Sequence, residues 1–357
     1  MIKSVAYVSA IRPYIPGKPV EELERELGIK GSIKLASNEN PLGPSPRAMD
    51  AIKKITNLNR YPDGGGYYLR GELSKRLSVE PDNIILGNGS NELIDIAVRT
   101  YMRPGDEAVM ARPSFIVYSM SVQSVGGMPI EVPLKDYRHD LTAMLGAVTE
   151  RTRMLFIANP NNPTGTINRK DELDHLMGML PDGILTVVDE AYYEYVTDPE
   201  YADSMRWFRD GRDILILRTF SKIYGLAGLR IGYGIARSDI ITEMNKIRPP
   251  FNTNAIAQAA ALSALNDNKH ITRSREVNED GKEYLYRELD RLGLRYVPTE
   301  ANFIYIPVKD SKTIYERLLH KGVIIRPMGP DAIRVTIGLP KENRRFIEAL
   351  TIVMRNG

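Results

Sequence analysis

Short apolar runs recur along the first two thirds of the chain, and stretches with helical periodicity separate them. Residues 154–158, 184–188 and 214–217 are continuously apolar except for Thr186 and are followed by polar residues. Such runs are typical of strands that are buried on both faces of a parallel sheet. Because helical stretches such as Ser90–Tyr101 lie between the runs, we predict βαβ units and an α/β fold with a mostly parallel sheet flanked by helices.

The last third of the chain has a different pattern. Ala255–Leu265 and residues 276–292 have the character of helices, and short strand-like runs follow at 302–306, 322–326 and 333–337. This order predicts a smaller α+β domain. The predicted organisation is an N-terminal arm (1–36) that packs with the small domain, a large domain (37–245) and the small domain itself (246–357).

Composition narrows the function classes. The 357 residues are 43% hydrophobic and 26% charged, with a formal charge of +3, which is too small to favour nucleic acid or an anionic membrane as a partner. The absence of cysteine excludes disulfides, iron–sulfur clusters and a cysteine nucleophile. No apolar run approaches the roughly 20 residues of a membrane span, and no secretory leader is visible. We expect a cytoplasmic protein without a metal, since the four histidines have no ligand spacing.

Four polar clusters are predicted to lie near strand ends, where parallel sheets bind ligands. They are residues 87–92 (Gly-Asn-Gly-Ser-Asn-Glu), 159–165 (Asn-Pro-Asn-Asn-Pro-Thr-Gly), 189–192 (Asp-Glu-Ala-Tyr) and 221–233, which contain Lys222 and Arg230. Each cluster alone has a plain explanation as a turn, a helix cap or a solvated lysine. Together they offer an amine for an aldehyde, a carboxylate for a ring nitrogen, Asn and Tyr for a phenolate, and a phosphate cup. That set describes pyridoxal phosphate.

A dinucleotide cofactor fits the same clusters poorly. The GxGxxG fingerprint would need glycine at the position of Glu92, so residues 87–92 favour a phosphate cup for a smaller ligand. A dehydrogenase would also leave Lys222, Asn162 and Asp189 without a role.

At these motifs the chain resembles the fold-type I aminotransferases, nearly from end to end. The resemblance implies that Lys222 bonds to the aldehyde of pyridoxal phosphate, that Asp189 pairs with its ring nitrogen, and that Phe115 stacks on its ring. It also implies that Asn162 and Tyr192 bind the phenolate oxygen. The phosphate would be held by Gly89, Ser90, Asn91, Ser221 and Arg230, with Tyr61 reaching the cofactor of a second subunit in a homodimer.

Residues 38–41 (Asn-Glu-Asn-Pro) suggest the branch of this family that transaminates histidinol phosphate with 2-oxoglutarate. The resemblance then places Asn38 and Arg334 at the substrate, with Arg334 on the donor carboxylate, and Tyr14 and Arg326 on the substrate phosphate. Three glycines at 64–66 depart from the family pattern and leave the conformation of that loop open.

Two other enzyme activities use the same cofactor residues. An aromatic amino acid aminotransferase would not need Arg326, whereas a threonine-phosphate decarboxylase would also bind a phosphate but release carbon dioxide. A transcription regulator with an aminotransferase-like domain is disfavoured, because only about 36 residues precede the Asn-Glu-Asn-Pro motif.

Overall fold

Strands and helices alternate along the part of the chain that the structure, a computed structural model, describes, namely residues 2–355. The strands are β1 (Ile33–Lys34), β2 (Ile84–Gly87), β3 (Glu107–Arg112), β4 (Met128–Pro133), β5 (Thr152–Ala158), β6 (Leu185–Asp189), β7 (Ile214–Thr219), β8 (Gly232–Ile235), β9 (Phe303–Pro307), β10 (Val323–Ile324), β11 (Arg326–Pro327) and β12 (Ala332–Thr336). The helices are α1 (Ala6–Ser9), α2 (Val20–Leu27), α3 (Pro46–Lys53), α4 (Tyr67–Leu77), α5 (Ser90–Tyr101), α6 (Val117–Ser124), α7 (Leu141–Gly146), α8 (Lys170–Met179), α9 (Ser204–Arg209), α10 (Ser238–Ile247), α11 (Ala255–Leu265), α12 (Asn268–Arg291), α13 (Ser311–His320) and α14 (Pro340–Arg355).

The largest sheet in the described residues has seven strands in the order β2-β8-β7-β6-β5-β3-β4. Strand β8 runs antiparallel to both of its neighbours, and the pairs from β7 through β6, β5 and β3 to β4 are all parallel. The predicted α/β class with a mostly parallel sheet is therefore confirmed. The carboxyl ends of β5, β6 and β7 lie side by side at one edge of this sheet.

Burial on both faces explains the continuous apolar runs. Along β5, Leu155 and Ile157 belong to the core on one face of the sheet, whereas Phe156 and Ala158 belong to the core on the other. Side chains alternate between the faces of a strand, so a strand covered by helices on both sides needs apolar residues at every position.

A further antiparallel sheet, in the order β11-β12-β9, packs with α12, α13 and α14 around a core that includes Leu289, Ile304 and Phe346. The N-terminal segment contacts this part of the chain, because β1 pairs with β10 in parallel and Leu23 of α2 packs against Ile324. A smaller α+β unit is thus present, while the exact domain boundaries stay a prediction.

Several elements differ from the sequence-based prediction. Helix α12 begins at Asn268, well before residue 276, because Asp267 caps it by accepting from the backbone of His270. Strand β8 was not predicted, since its two glycines carry no apolar signal. Gly232 is required there because a Cβ would lie only 2.7 Å from the backbone nitrogen of Ser90. The run 322–326 divides into β10 and β11, which belong to different sheets.

The glycines at 64–66 form an ordered turn before α4. The carboxylate of Asp63 accepts hydrogen bonds from the backbone nitrogens of Gly65 (2.8 Å) and Tyr67 (2.6 Å). The Gln258 side chain donates to the Asp63 carbonyl at 2.9 Å. These bonds fix the turn that the composition alone left open. In the part of the chain described here, no helix combines the length and apolarity needed to cross a membrane.

Candidate active site

The carboxyl ends of β5, β6 and β7 and the start of α5 enclose a cavity of about 200 Å³. Asn162 lies in the loop after β5, Asp189 is the last residue of β6, and Ser221 and Lys222 follow β7. Ser90 is the first residue of α5. Residues from all four predicted clusters therefore lie around one cavity at one edge of the sheet. This is the edge where the carboxyl ends of neighbouring parallel strands lie side by side.

Lys222 is partly buried in this cavity, and its Nζ donates to the carbonyl of Ser37 at 3.3 Å. The pKa of the Lys222 amine is lowered to about 8, chiefly by burial and also by the positive charges of Arg334 and Arg230, which together outweigh the attraction of Glu39 and Asp189. Only the unprotonated amine is a nucleophile, and a lowered pKa increases the fraction of the amine in that form near neutral pH. The site thus prepares this lysine to attack an aldehyde.

Asp189 is buried, and both of its carboxylate oxygens accept a hydrogen bond. Tyr118 donates from its hydroxyl to Oδ2 at 2.7 Å, and the backbone nitrogen of Ala191 donates to Oδ1 at 3.1 Å. Burial raises the pKa of the Asp189 carboxyl, while these two bonds and the charge of Lys222 act in the opposite direction. A buried carboxylate of this kind is suited to a cationic partner in the cavity.

Side chains from distant parts of the chain form the wall opposite Asp189. The Asn38 amide donates to the hydroxyl of Tyr192 at 2.9 Å. Arg334 donates through Nη1 to Asn162 Oδ1 in a short hydrogen bond, and through Nη2 to the Ala36 carbonyl at 2.8 Å. The Arg334 Nε atom is buried and has no hydrogen-bond partner among residues 2–355, so this guanidinium retains a donor for an anion.

The residues predicted to form a phosphate cup lie close together at the start of α5. Arg230 Nη1 donates to the hydroxyl of Ser221 at 3.2 Å, and Ser90 and Asn91 line the same cavity. Gly89 has a φ of 76°, and a Cβ at this position would clash with the end of the Arg230 guanidinium. The cup therefore needs glycine for its backbone conformation and for the close approach of Arg230.

A second cavity, of about 440 Å³, adjoins the first and shares Phe115, Asn162, Tyr192 and Lys222 with it. Tyr14 and Arg326 lie in its wall, with the guanidinium carbon of Arg326 at 5.1 Å from the centre of the Tyr14 ring. Arg326 lies directly across from Arg334 in the β11–β12 pair. Both predicted substrate arginines thus face one space.

One predicted residue lies away from these cavities within the same chain. Tyr61 is 82% exposed and stacks on Phe251 with 4.6 Å between ring centres. Among the lining residues that the sequence did not predict, two have side chains that bear on the chemistry of the cavities. Tyr118 lies in the first turn of α6, three positions after Phe115, and the two rings meet edge-on with 5.6 Å between their centres. Arg12 precedes the Pro13-Tyr14 pair and lines the second cavity.

The donor set in the first cavity fits pyridoxal phosphate. An amine of lowered pKa, a buried carboxylate, an Asn–Tyr pair and a glycine-containing phosphate cup each match one functional group of that molecule. A metal has no comparable set, since no cluster of three or more His, Asp or Glu side chains that could hold an ion occurs among residues 2–355.

Comparison with known proteins agrees with this geometry. The model of the family "Aminotransferase class I and II" matches residues 30–350. The histidinol-phosphate aminotransferase of Moorella thermoacetica is 51% identical over 354 residues, which cover 97% of this chain and 92% of that protein. The enzyme of the same name from Caldicellulosiruptor saccharolyticus is 47% identical, with 97% and 99% coverage.

Among solved structures, histidinol-phosphate aminotransferase from Sinorhizobium meliloti, crystallised with pyridoxal 5′-phosphate, superposes with a TM-score of 0.92. The two chains are 28% identical, and the match covers 100% of this chain and 98% of the other. The resemblance inferred from the motifs is confirmed by these matches. The chain belongs to the class I and II aminotransferases, in the histidinol-phosphate aminotransferase branch of that family.

Proposed function

We propose that the protein transfers the amino group of L-histidinol phosphate to 2-oxoglutarate with pyridoxal phosphate as cofactor, giving imidazole-acetol phosphate and glutamate in histidine biosynthesis. One observation carries the choice of substrate. Arg12, Lys222, Arg326 and Arg334 line the second cavity, and no Asp or Glu from the described residues lines it. A cavity with four cations and no carboxylate suits a dianionic phosphate beside the reacting amine.

In the first cavity, Lys222, Asp189, Asn162 and Tyr192 would hold the aldehyde, ring nitrogen and phenolate ends of the cofactor. Gly89, Ser90, Asn91, Ser221 and Arg230 would hold its phosphate, and Phe115 would cover its ring. When bound, pyridoxal phosphate supplies a ring that takes up the electrons left when a donor carbon loses its proton.

Lys222 is the proposed acid–base residue. Its Nζ lies between the two cavities and has a pKa of about 8, because burial disfavours its charged form. Once the amine of the donor has released it, Nζ removes the proton from the donor carbon that carries the amino group. A base with a pKa near the working pH is suited to this step, which contributes roughly 10²–10⁴-fold.

The substrate anions have separate proposed partners. Arg334 would bind the carboxylate of glutamate or 2-oxoglutarate, using the Nε donor that no described residue of the chain contacts through a hydrogen bond. Arg326 and Tyr14 would bind the phosphate of histidinol phosphate. Asn38 would hold Tyr192 in place through their 2.9 Å hydrogen bond at the substrate side of the cofactor.

A homodimer is part of the proposal. Four large side chains at and just before the start of α4 are 65 to 82% exposed, namely Leu58, Tyr61, Tyr67 and Tyr68. Large apolar side chains clustered on a surface are typical of an interface. We infer that a second copy covers them and that Tyr61 reaches the phosphate of its cofactor. The cytoplasmic location stays a prediction.

The substrate can be tested by adding amino donors to the protein loaded with pyridoxal phosphate, without an acceptor. The loss of the visible absorbance of the lysine-bound cofactor gives the donor concentration for half-conversion. We expect a far lower concentration for histidinol phosphate than for phenylalanine or tyrosine. Arg326→Met should raise the value for histidinol phosphate at least tenfold, since a hydrogen bond to a charged group is worth about 1.5–3 kcal/mol.

Glutamate is the control donor, and its half-conversion should change little in Arg326→Met. Lys312→Met is the control variant, because it also removes one positive charge but lies on α13 with its side chain 84% exposed. A lower half-conversion for phenylalanine than for histidinol phosphate would make the protein an aromatic aminotransferase. Carbon dioxide release from threonine phosphate without an acceptor would make it a decarboxylase.

The shared site can be tested by mixing subunits. Tyr61→Ala and Lys222→Met should each have little activity alone. A hybrid dimer of the two has one site with both an intact Lys222 and an intact Tyr61 only if Tyr61 acts across the interface. Recovery of activity on mixing supports the shared site, and mixtures no more active than the separate variants contradict it.

A further inference from the structure

The hydroxyl of Tyr118 is buried in the active site and has no role in the proposed function so far. The Tyr118 side chain is 1% exposed, and its hydroxyl donates to Asp189 Oδ2 at 2.7 Å. Its ring stacks on Phe156 of β5, with ring centres 4.8 Å apart, and meets the Phe115 ring edge-on at 5.6 Å. Contacts with two aromatic neighbours hold the hydroxyl against the carboxylate.

The electrostatics fix which group donates. Burial and the negative charge of Asp189 raise the pKa of Tyr118 well above its usual value, so this hydroxyl keeps its proton. Burial raises the pKa of Asp189, and the hydrogen bond from Tyr118 is the largest influence that opposes this rise. Each carboxylate oxygen has about two acceptor positions, so Asp189 retains capacity for a further donor.

We propose that Tyr118 is a positioning residue that acts through Asp189. Its hydroxyl bond makes the Asp189 carboxylate a weaker base, and the proton between Asp189 and the ring nitrogen of pyridoxal phosphate therefore stays on the nitrogen. The inference rests on the proposed function, since it requires that Asp189 pairs with that nitrogen. A hydrogen bond donated to an ionised group shifts such an equilibrium by a factor of roughly ten to a hundred.

The position of the proton can be measured directly. The protein is loaded with pyridoxal phosphate carrying ¹⁵N in its ring, and the ¹⁵N resonance reports the ratio of protonated to unprotonated nitrogen. In Tyr118→Phe, which keeps the ring and its two aromatic contacts, we expect this ratio to fall by roughly tenfold or more. Tyr101→Phe is the matched control. It removes a hydroxyl that donates to the Ile240 carbonyl at 3.2 Å, away from both cavities, and should leave the resonance unchanged.

A second comparison separates action through Asp189 from a general disturbance of the cavity. In an Asp189→Asn background the amide cannot accept the proton, so adding Tyr118→Phe should shift the resonance no further. An unchanged resonance in Tyr118→Phe alone, or an equal shift with and without Asp189, overturns the inference. A wild-type protein that binds the cofactor with an unprotonated nitrogen, or does not bind it, overturns the role of Asp189 in the proposed function itself.

Discussion

Replacing Lys222 by methionine should abolish turnover and yet stabilise the cofactor-free protein. Burial is the main reason that the pKa of Lys222 is lowered from its usual 10.5 to about 8. Below pH 8 the amine is charged in both the folded and the unfolded chain, and the charged form is disfavoured in the fold by about 3 kcal/mol. Methionine has a similar length and carries no charge, so it avoids this cost.

The stability gained by Lys222→Met is smaller than this cost, because the lysine also makes a stabilising contact in the wild type. Its hydrogen bond to the Ser37 carbonyl is worth about 1 kcal/mol, and the open side of the cavity lets solvent reduce the burial penalty. We therefore expect the free energy of unfolding to rise by about 1 to 2 kcal/mol at pH 7. Because the pKa is lowered in the fold, the disadvantage of the wild type should shrink as the pH rises from about 8 to 10.5.

Urea unfolding of both cofactor-free proteins at pH 7 and pH 10 measures this difference. Lys34→Met is the control, because Lys34 forms an ion pair with Glu39 at 3.1 Å and its replacement should bring no gain. If Lys222→Met is no more stable than the wild type at pH 7, or keeps its full advantage at pH 10, the reasoning about the buried amine is wrong.

Three other substitutions test different parts of the structure. Gly89→Ala should weaken binding of pyridoxal phosphate more than tenfold while hardly affecting unphosphorylated pyridoxal in equilibrium titrations, because the new Cβ displaces Arg230. Arg218 Nε lies 2.8 Å from the buried Glu190 carboxylate. Arg218→Met leaves that carboxylate without a cation and should lower the free energy of unfolding, measured with urea, by about 3–5 kcal/mol. Burial lowers the pKa of His139 to about 4, so wild-type stability should fall as the pH drops from 6.5 towards 4, and His139→Gln should show a smaller fall in acid unfolding.

The sequence predicted most of the large sheet because its strands contain short apolar runs that helical stretches separate. It did not predict β8, because two of its four residues are glycines, of which Gly232 lies against the backbone of Ser90. The first turns of α12 were missed for a similar reason, since their residues are polar and a capping aspartate starts the helix. A hydrophobic pattern indicates which side chains are buried, so it does not detect an element that backbone contacts or a helix cap specify.

The predicted clusters lie around one cavity, because they follow strand ends and parallel strands bring those ends to one edge. The sequence by itself determined the fold class and which clusters of residues meet at this edge, and the roles of Lys222, Asp189 and the phosphate cup stay predictions. Only the tertiary structure decided that Tyr118 donates to Asp189, that Arg12 joins Arg326 and Arg334, and that Asn38 holds Tyr192. These groups meet across up to 322 positions of sequence, from Arg12 to Arg334, and a local pattern carries no information about such distant contacts.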